Sequence, residues 1–177
     1  LNTGRWVYDH RKARRAIRFV ESMCHHSKGR RDYIRLELWQ RALLSVCFGI
    51  LDHTGARQFR EVVLIVGRKN GKTLLVACMG DYILFCDREY GTEIYCLAPK
   101  LEQARIVFDA AAQIITQEPE LADKADIRQR QVAIAESNSF IRAQPFASKK
   151  SDGFNPQLCI CDEFGNWRGD SGLKQYE

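Results

Sequence analysis

Gly67-Arg68-Lys69-Asn70-Gly71-Lys72-Thr73 constrains this chain more than any other segment. It follows Glu61-Val-Val-Leu-Ile-Val66, a β-branched run without polar alternation, which predicts a strand buried on both faces of a parallel sheet. It precedes Leu74–Phe85, which predicts a helix. A loop that cradles phosphate needs glycine where the backbone curls so that successive N–H groups face the anion. It needs a lysine to reach the β- and γ-phosphates and a hydroxyl to hold Mg²⁺. Gly71, Lys72 and Thr73 supply these, and the following helix directs its positive end to the same place. The pattern departs from GxxxxGK[ST] in one respect: Val66 stands where the first glycine is expected, and Gly67 comes one residue late.

The rest of the chain fits an α/β frame. A helical period runs from Ile34 to Leu51 through Leu36, Trp39, Leu43, Val46/Cys47 and Ile50. Glu93–Leu97 predicts a second strand, and Lys100 to Thr116 a long helix with Leu101, Ala104, Val107/Phe108, Ala111 and Ile114/Ile115 on one face. Gln131–Glu136 and Ser139–Gln144 flank Ser137-Asn138 as a hairpin, and Gln157–Cys161 predicts another buried strand. The sum is a mostly parallel sheet flanked by helices, with an inserted β-hairpin.

Composition bounds the function classes. With 45% apolar and 28% charged residues in 177, the chain is an ordinary globular domain rather than a disordered one. No apolar run approaches the ~20 residues of a membrane span. Residues 1–20 are basic, without the apolar core of a secretory signal. Seven cysteines, an odd count set mostly in apolar segments, predict free buried thiols rather than a disulfide framework. Cys24-His25-His26 has no second ligand cluster and predicts no zinc site. The chain opens on Leu1, which suggests a fragment.

Net charge is +5, but residues 1–35 hold ten Lys/Arg against three Asp/Glu. Arg11, Arg14, Arg15 and Arg18 recur at i, i+3, i+4 and i+7, one face of a helix, with Ala13, Ile17, Val20 and Cys24 opposite. Such a stripe suits phosphates or an acidic protein surface, and on charge alone it fits a solvated basic face with no ligand equally well.

Leu158-Cys-Ile-Cys161 ends in Asp162-Glu163, which predicts carboxylates at the C-terminal edge of a parallel strand, where ligands bind in open α/β sheets. Asp162 can hold Mg²⁺, and Glu163 can orient and deprotonate a water attacking a γ-phosphate. Asp162-Glu-Phe-Gly165 also matches the DxxG of GTPases. Against guanine, Trp39-Gln40 lies upstream on a predicted helix: a Gln amide pairs with adenine's N6 donor and N7 acceptor while an aromatic covers the ring. ATP is therefore the expected nucleotide, although Trp39 also fits simple core packing.

These residues together resemble the large terminase subunit of tailed bacteriophages. The likeness runs from about Leu36 to Trp167 and includes Asp152-Gly153-Phe154-Asn155-Pro156. Its specific part is a deviant phosphate loop with arginine four residues before the lysine, where Arg68 stands. The resemblance implies a P-loop NTPase fold of the ASCE type, in two parts: a basic helical segment at 1–35 and an ATPase domain at 36–177. It implies an adenine-contacting Gln40, a nucleotide cradle of Gly67, Arg68, Lys69, Asn70, Gly71, Lys72 and Thr73, and Mg²⁺ held by Thr73 and Asp162. Glu163 and Arg68 become the catalytic residues, and Arg142, Lys149 and Lys150 are candidates for an arginine-finger-like contact with a neighbouring subunit.

What the resemblance implies of function is ATP-driven translocation of double-stranded DNA into procapsids. The expected partners are DNA, a portal protein, a small terminase subunit and other copies in a ring, in the cytoplasm of the bacterial host. In this ATPase class a strand bearing the coupling motif lies between the phosphate-loop strand and the Asp-Glu strand, and a nuclease domain follows. With 14 residues after Glu163, the expectation is an ATPase piece lacking both. Two alternatives remain at the level of sequence, a DExx-type helicase ATPase and a non-hydrolysing module that binds DNA or a portal.

Overall fold

The computed structural model describes residues 5–26, 29, 31–87, 89–145 and 155–162. The chain divides into two compact units, residues 1–75 and 76–177.

In the first unit, β1 (Trp6–Tyr8) leads into α1 (His10–Met23). Asp9 caps that helix, its carboxylate accepting from the backbone N–H of Arg11 (2.8 Å) and of Lys12 (3.2 Å). α1 buries Ala13, Ala16, Phe19 and Val20, and packs against α2 (Leu38–Gly49), which buries Leu44, Cys47 and Phe48. The approach is close: a side chain on Gly49 would begin 2.9 Å from the Ala13 Cβ and 2.7 Å from the Tyr8 ring. β2 (Ile50–Asp52) then pairs antiparallel with β1.

α2 is shorter than the periodicity predicts, for a reason visible in the backbone. The N–H of Ile34 donates to the Cys24 carbonyl (2.9 Å), and that of Leu36 to the Glu21 carboxylate (3.2 Å). These bonds hold 34–36 extended, so the helix starts only at Leu38. Its buried face is also rotated from the expected one: Trp39 and Val46 are exposed, and Leu44 and Phe48 lie inside.

The larger correction concerns residues 61–66. They form no strand, and Val62, Val63 and Ile65 are 48%, 78% and 91% exposed. A strand needs a neighbour for its N–H and C=O groups, and no described strand pairs with this run. The predicted helix does form, as α3 (Lys72–Cys86).

The second unit is built on β3 (Glu93–Ala98). After it come α4 (Leu101–Gln117), the single turn α5 (Pro119–Ala122), β4 (Asp126–Ile127), β5 (Gln131–Ile134), β6 (Ser139–Pro145) and β7 (Leu158–Cys161). The strand order is β4-β5-β6-β3-β7. β6 and β7 run parallel to β3 on either side, with Ile94 opposite both Ile141 and Leu158; β5 and β4 add antiparallel pairings beyond β6. The predicted hairpin is therefore not an insertion beside the sheet, because its second strand is one of the three parallel strands. β7 is an edge strand among the described ones, with Ile160 buried and Cys159 and Cys161 exposed, where a fully buried strand was expected.

Helices cover this sheet. α4 lays Ala104, Val107, Phe108, Ala111, Ile114 and Ile115 inward and packs on β3 and β6. α3 comes close at Gly80, where a Cβ would lie 3.3 Å from the Cδ1 atoms of Ile141 and Ile160. All seven cysteines are free thiols.

Candidate nucleotide-binding site

The loop before α3 owes its shape to three residues. Gly71 (φ +72°) and Lys69 (φ +65°) both adopt the left-handed region, which turns the chain sharply into the helix. Asn70 braces the turn: its side-chain amide donates to the Gly67 carbonyl at 3.1 Å. The Gly71 carbonyl accepts the Leu75 N–H at 3.0 Å and so starts the helical ladder. Gly67 to Gly71 are exposed, and Lys72 and Thr73 are half-buried in the first turn of α3. The first-turn N–H groups of a 15-residue helix thus face the same solvent-open loop that carries Arg68, Lys69 and Lys72.

Gln40, 31 residues upstream, is brought to this loop. Its Nε2 lies 3.7 Å from where a Gly71 side chain would begin. The orientation is fixed at the other end of the amide, where Oε1 accepts the Glu37 N–H at 2.9 Å. Trp39, beside it, is exposed rather than part of the core, so an aromatic surface stands open next to Gln40.

Asp162 sits in the other unit, directly after β7, with its N–H donating to the Leu97 carbonyl at 3.4 Å. That places it at the C-terminal edge of the three parallel strands, as its sequence position predicts. Glu163, Lys149 and Lys150 lie outside the described residues, as does most of Asp152–Pro156. Arg142, on β6, is engaged within its own unit: its guanidinium donates to Gln131 Oε1 and lies 4.7 Å from the centre of the Phe140 ring.

Two donors, each taken by itself, are of a kind that Mg²⁺ accepts. Thr73 and Asp162 offer a hydroxyl and a carboxylate, hard oxygen ligands of the kind that ion takes alongside phosphate and water. No group of three or more His, Cys, Asp or Glu among the described residues could hold a metal. No described helix is long and apolar enough to cross a membrane.

One buried group was missed by pattern reading. Asp81 on α3 is fully buried, and neither carboxyl oxygen has a hydrogen-bond partner among the described residues. Its signal in the sequence is a lone acid inside the apolar run Leu74–Phe85.

A family described as the ATPase domain of the terminase large subunit matches residues 38–176. The large terminase subunit of Enterobacteria phage HK97 is 27% identical over 163 residues, covering 89% of this chain and 31% of that protein. The crystal structure of the HK97 bacteriophage large terminase matches with a TM-score of 0.76 at 27% identity, over 89% of this chain and 32% of the other. This chain spans about a third of the length of those relatives.

Proposed function

The chain belongs to the family of terminase large-subunit ATPase domains, and from that premise we propose that it is the motor ATPase of a phage terminase. It hydrolyses ATP to drive double-stranded DNA into a procapsid. The fold class is the ASCE type of P-loop NTPase, with residues 36–177 forming the ATPase domain and 1–35 a basic helical segment. The observation that carries the reading is the approach of Gln40 to Gly71, an adenine-type amide held beside a phosphate-type loop at the start of a long helix.

Each side chain then has a task. Loop N–H groups and the first turn of α3 bind the phosphate oxygens, and Lys72 neutralises charge on the β- and γ-phosphates. Gln40 Nε2 donates to adenine N7 while Oε1, which keeps a lone pair beyond its bond to Glu37, accepts from N6. Arg68 meets the charge that builds on the γ-phosphoryl oxygens in the transition state. Glu163 accepts the proton of the attacking water, whose oxygen displaces ADP from the γ-phosphorus. Thr73 and Asp162 would hold Mg²⁺, which would supply Lewis-acid stabilisation of the phosphate charge. Portal protein, small terminase subunit and further copies in a ring are the expected partners, in the host cytoplasm.

Mg²⁺-dependent ATP hydrolysis and nucleotide-induced thermal shift, measured on the chain and on Lys72→Ala and Glu163→Ala, test the reading. Turnover is expected to vanish in both variants, with the thermal shift lost only in Lys72→Ala. A folded chain that gains no stability from ATP would overturn it.

A further inference from the structure

The cationic stripe predicted at the N-terminus is a built surface. Arg11, Arg14, Arg15 and Arg18 are all exposed on α1, on the side away from the buried Ala13, Ala16, Phe19 and Val20. The face continues through Ser22, whose hydroxyl turns back to the Arg18 carbonyl at 2.6 Å. The nearby charges are already committed elsewhere: Lys12 donates to the Gly55 carbonyl at 3.2 Å, and Glu21 pairs with Arg41 at 2.7 Å. Arg11 acts on the cap Asp9. The side chains of Arg14, Arg15 and Arg18 have no ion pair or hydrogen bond among the described residues.

The unit around this face magnifies its charge. Residues 1–75 carry sixteen Lys/Arg against six Asp/Glu, a net of +10, while residues 76–177 carry eleven against sixteen, a net of −5. A field of one sign over a whole unit draws in a polyanion from a distance. Guanidinium forks match phosphate oxygens two at a time, and unpaired arginines give up no existing bond to do so.

We infer that the exposed arginine face of α1 is a docking surface for the sugar–phosphate backbone of double-stranded DNA. The choice of DNA as the polyanion rests on the motor reading above; the surface itself rests on charge and exposure. An acidic protein partner fits less well, because protein interfaces are anchored by a desolvated apolar or aromatic centre. Between Arg11 and Ser22 this face offers none.

The test is duplex binding by the 177-residue chain, followed by fluorescence anisotropy with a short random-sequence DNA across a salt series. The triple variant Arg14→Gln, Arg15→Gln, Arg18→Gln keeps good helix formers on α1. Its slope of log affinity against log salt is expected to be shallower by about 2.7, since each phosphate that an arginine neutralises adds roughly 0.9 to the slope. A control triple, Lys100→Gln, Lys124→Gln, Arg130→Gln, removes the same charge from exposed sites on the other unit and is expected to leave the slope unchanged. An unchanged slope in the α1 variant, an equal loss in the control, or no duplex binding by the wild type overturns the inference. Nucleotide-induced thermal shift on the same samples separates the two readings. Binding of ATP without α1-dependent DNA binding sinks this proposal alone, and α1-dependent DNA binding without ATP binding sinks the motor reading alone.

Discussion

Gln40 and Gly71 meet although 31 residues separate them, and the amide of one reaches to 3.7 Å of where the other's side chain would start. The pairing joins the start of α2 to the start of α3. Gln40 has two jobs there: Oε1 caps the Glu37 N–H, and Nε2 is the group turned toward the loop. Two substitutions separate them. Gln40→Glu retains an acceptor for the cap but has no N–H for adenine N7, so ATP affinity is expected to fall by about tenfold, one hydrogen bond's ~1.4 kcal/mol, with thermal stability nearly unchanged. Gln40→Ala loses both and is expected to lower stability as well as affinity. Equilibrium binding of ATP and GTP to the two variants, beside their melting curves, checks this, and unaltered preference for ATP in Gln40→Glu removes Gln40 from base recognition.

Gly71 is required for its backbone angle rather than for space. At φ +72° any L-residue is strained, yet a methyl group there would meet only the flexible tip of Gln40 at ordinary contact distance. Gly71→Ala is expected to cost about 1–2 kcal/mol of folding stability, or to relax the loop and lose phosphate affinity instead. Urea denaturation with and without ATP distinguishes the two. A variant with wild-type midpoint and wild-type affinity shows that the left-handed turn is not needed.

Asp81 gives the unit a pH dependence of defined sign. Burial holds its carboxyl well above the usual value of 3.8, and among the described residues no hydrogen-bond donor compensates it. A carboxyl with a raised folded pKa contributes most to stability below the unfolded value, and that contribution is lost as pH rises through the folded one. The chain is therefore expected to lose stability from about pH 4 upward until Asp81 has titrated. Asp81→Asn, which keeps the shape and cannot ionise, should flatten this part of the profile. Near neutrality Asp81→Leu is expected to stabilise the chain by about 1–3 kcal/mol, the cost of an unpaired buried polar group. Denaturation midpoints across pH measure both, and parallel profiles for wild type and Asp81→Asn would show that the carboxyl is not the titrating group.

Local patterns carried much of the fold and the turn of the candidate loop. The periods of Leu101–Gln117 and Glu93–Ala98, the turn at Ser137-Asn138 and the glycines of the loop are written in neighbouring residues, and all form as elements. What failed depends on partners distant in sequence. The three-residue pairing of β1 with β2 joins Trp6 to Asp52, and nothing in either segment announces the other. The start of α2 is set by Cys24 and Glu21, which claim the N–H groups of Ile34 and Leu36. Asp162 could be placed because a strand's end is local. Residue type alone raises the idea that Gln40 lies near the loop, but its position there is set by the packing of α2. Asp81 was legible only as an exception to a pattern, and exceptions carry no address for a partner.

Val62–Val66 is the sharpest case, because a run that reads as a core strand is exposed. Its composition describes an environment that it would occupy between neighbours, and no described strand stands beside it. The consequence is quantitative. A buried Ile replaced by Lys is among the most destabilising changes in a protein, whereas an exposed one usually moves stability by less than about 0.5 kcal/mol. With Ile65 91% exposed and Val63 78% exposed, Ile65→Lys and Val63→Lys are expected to leave the melting temperature of this chain within a degree or two. Ile94→Lys, at the centre of β3 and fully buried, is expected to abolish folding. Melting curves of the three variants decide the matter: a large loss in Ile65→Lys would mean that residues 61–66 are buried in solution as a strand after all.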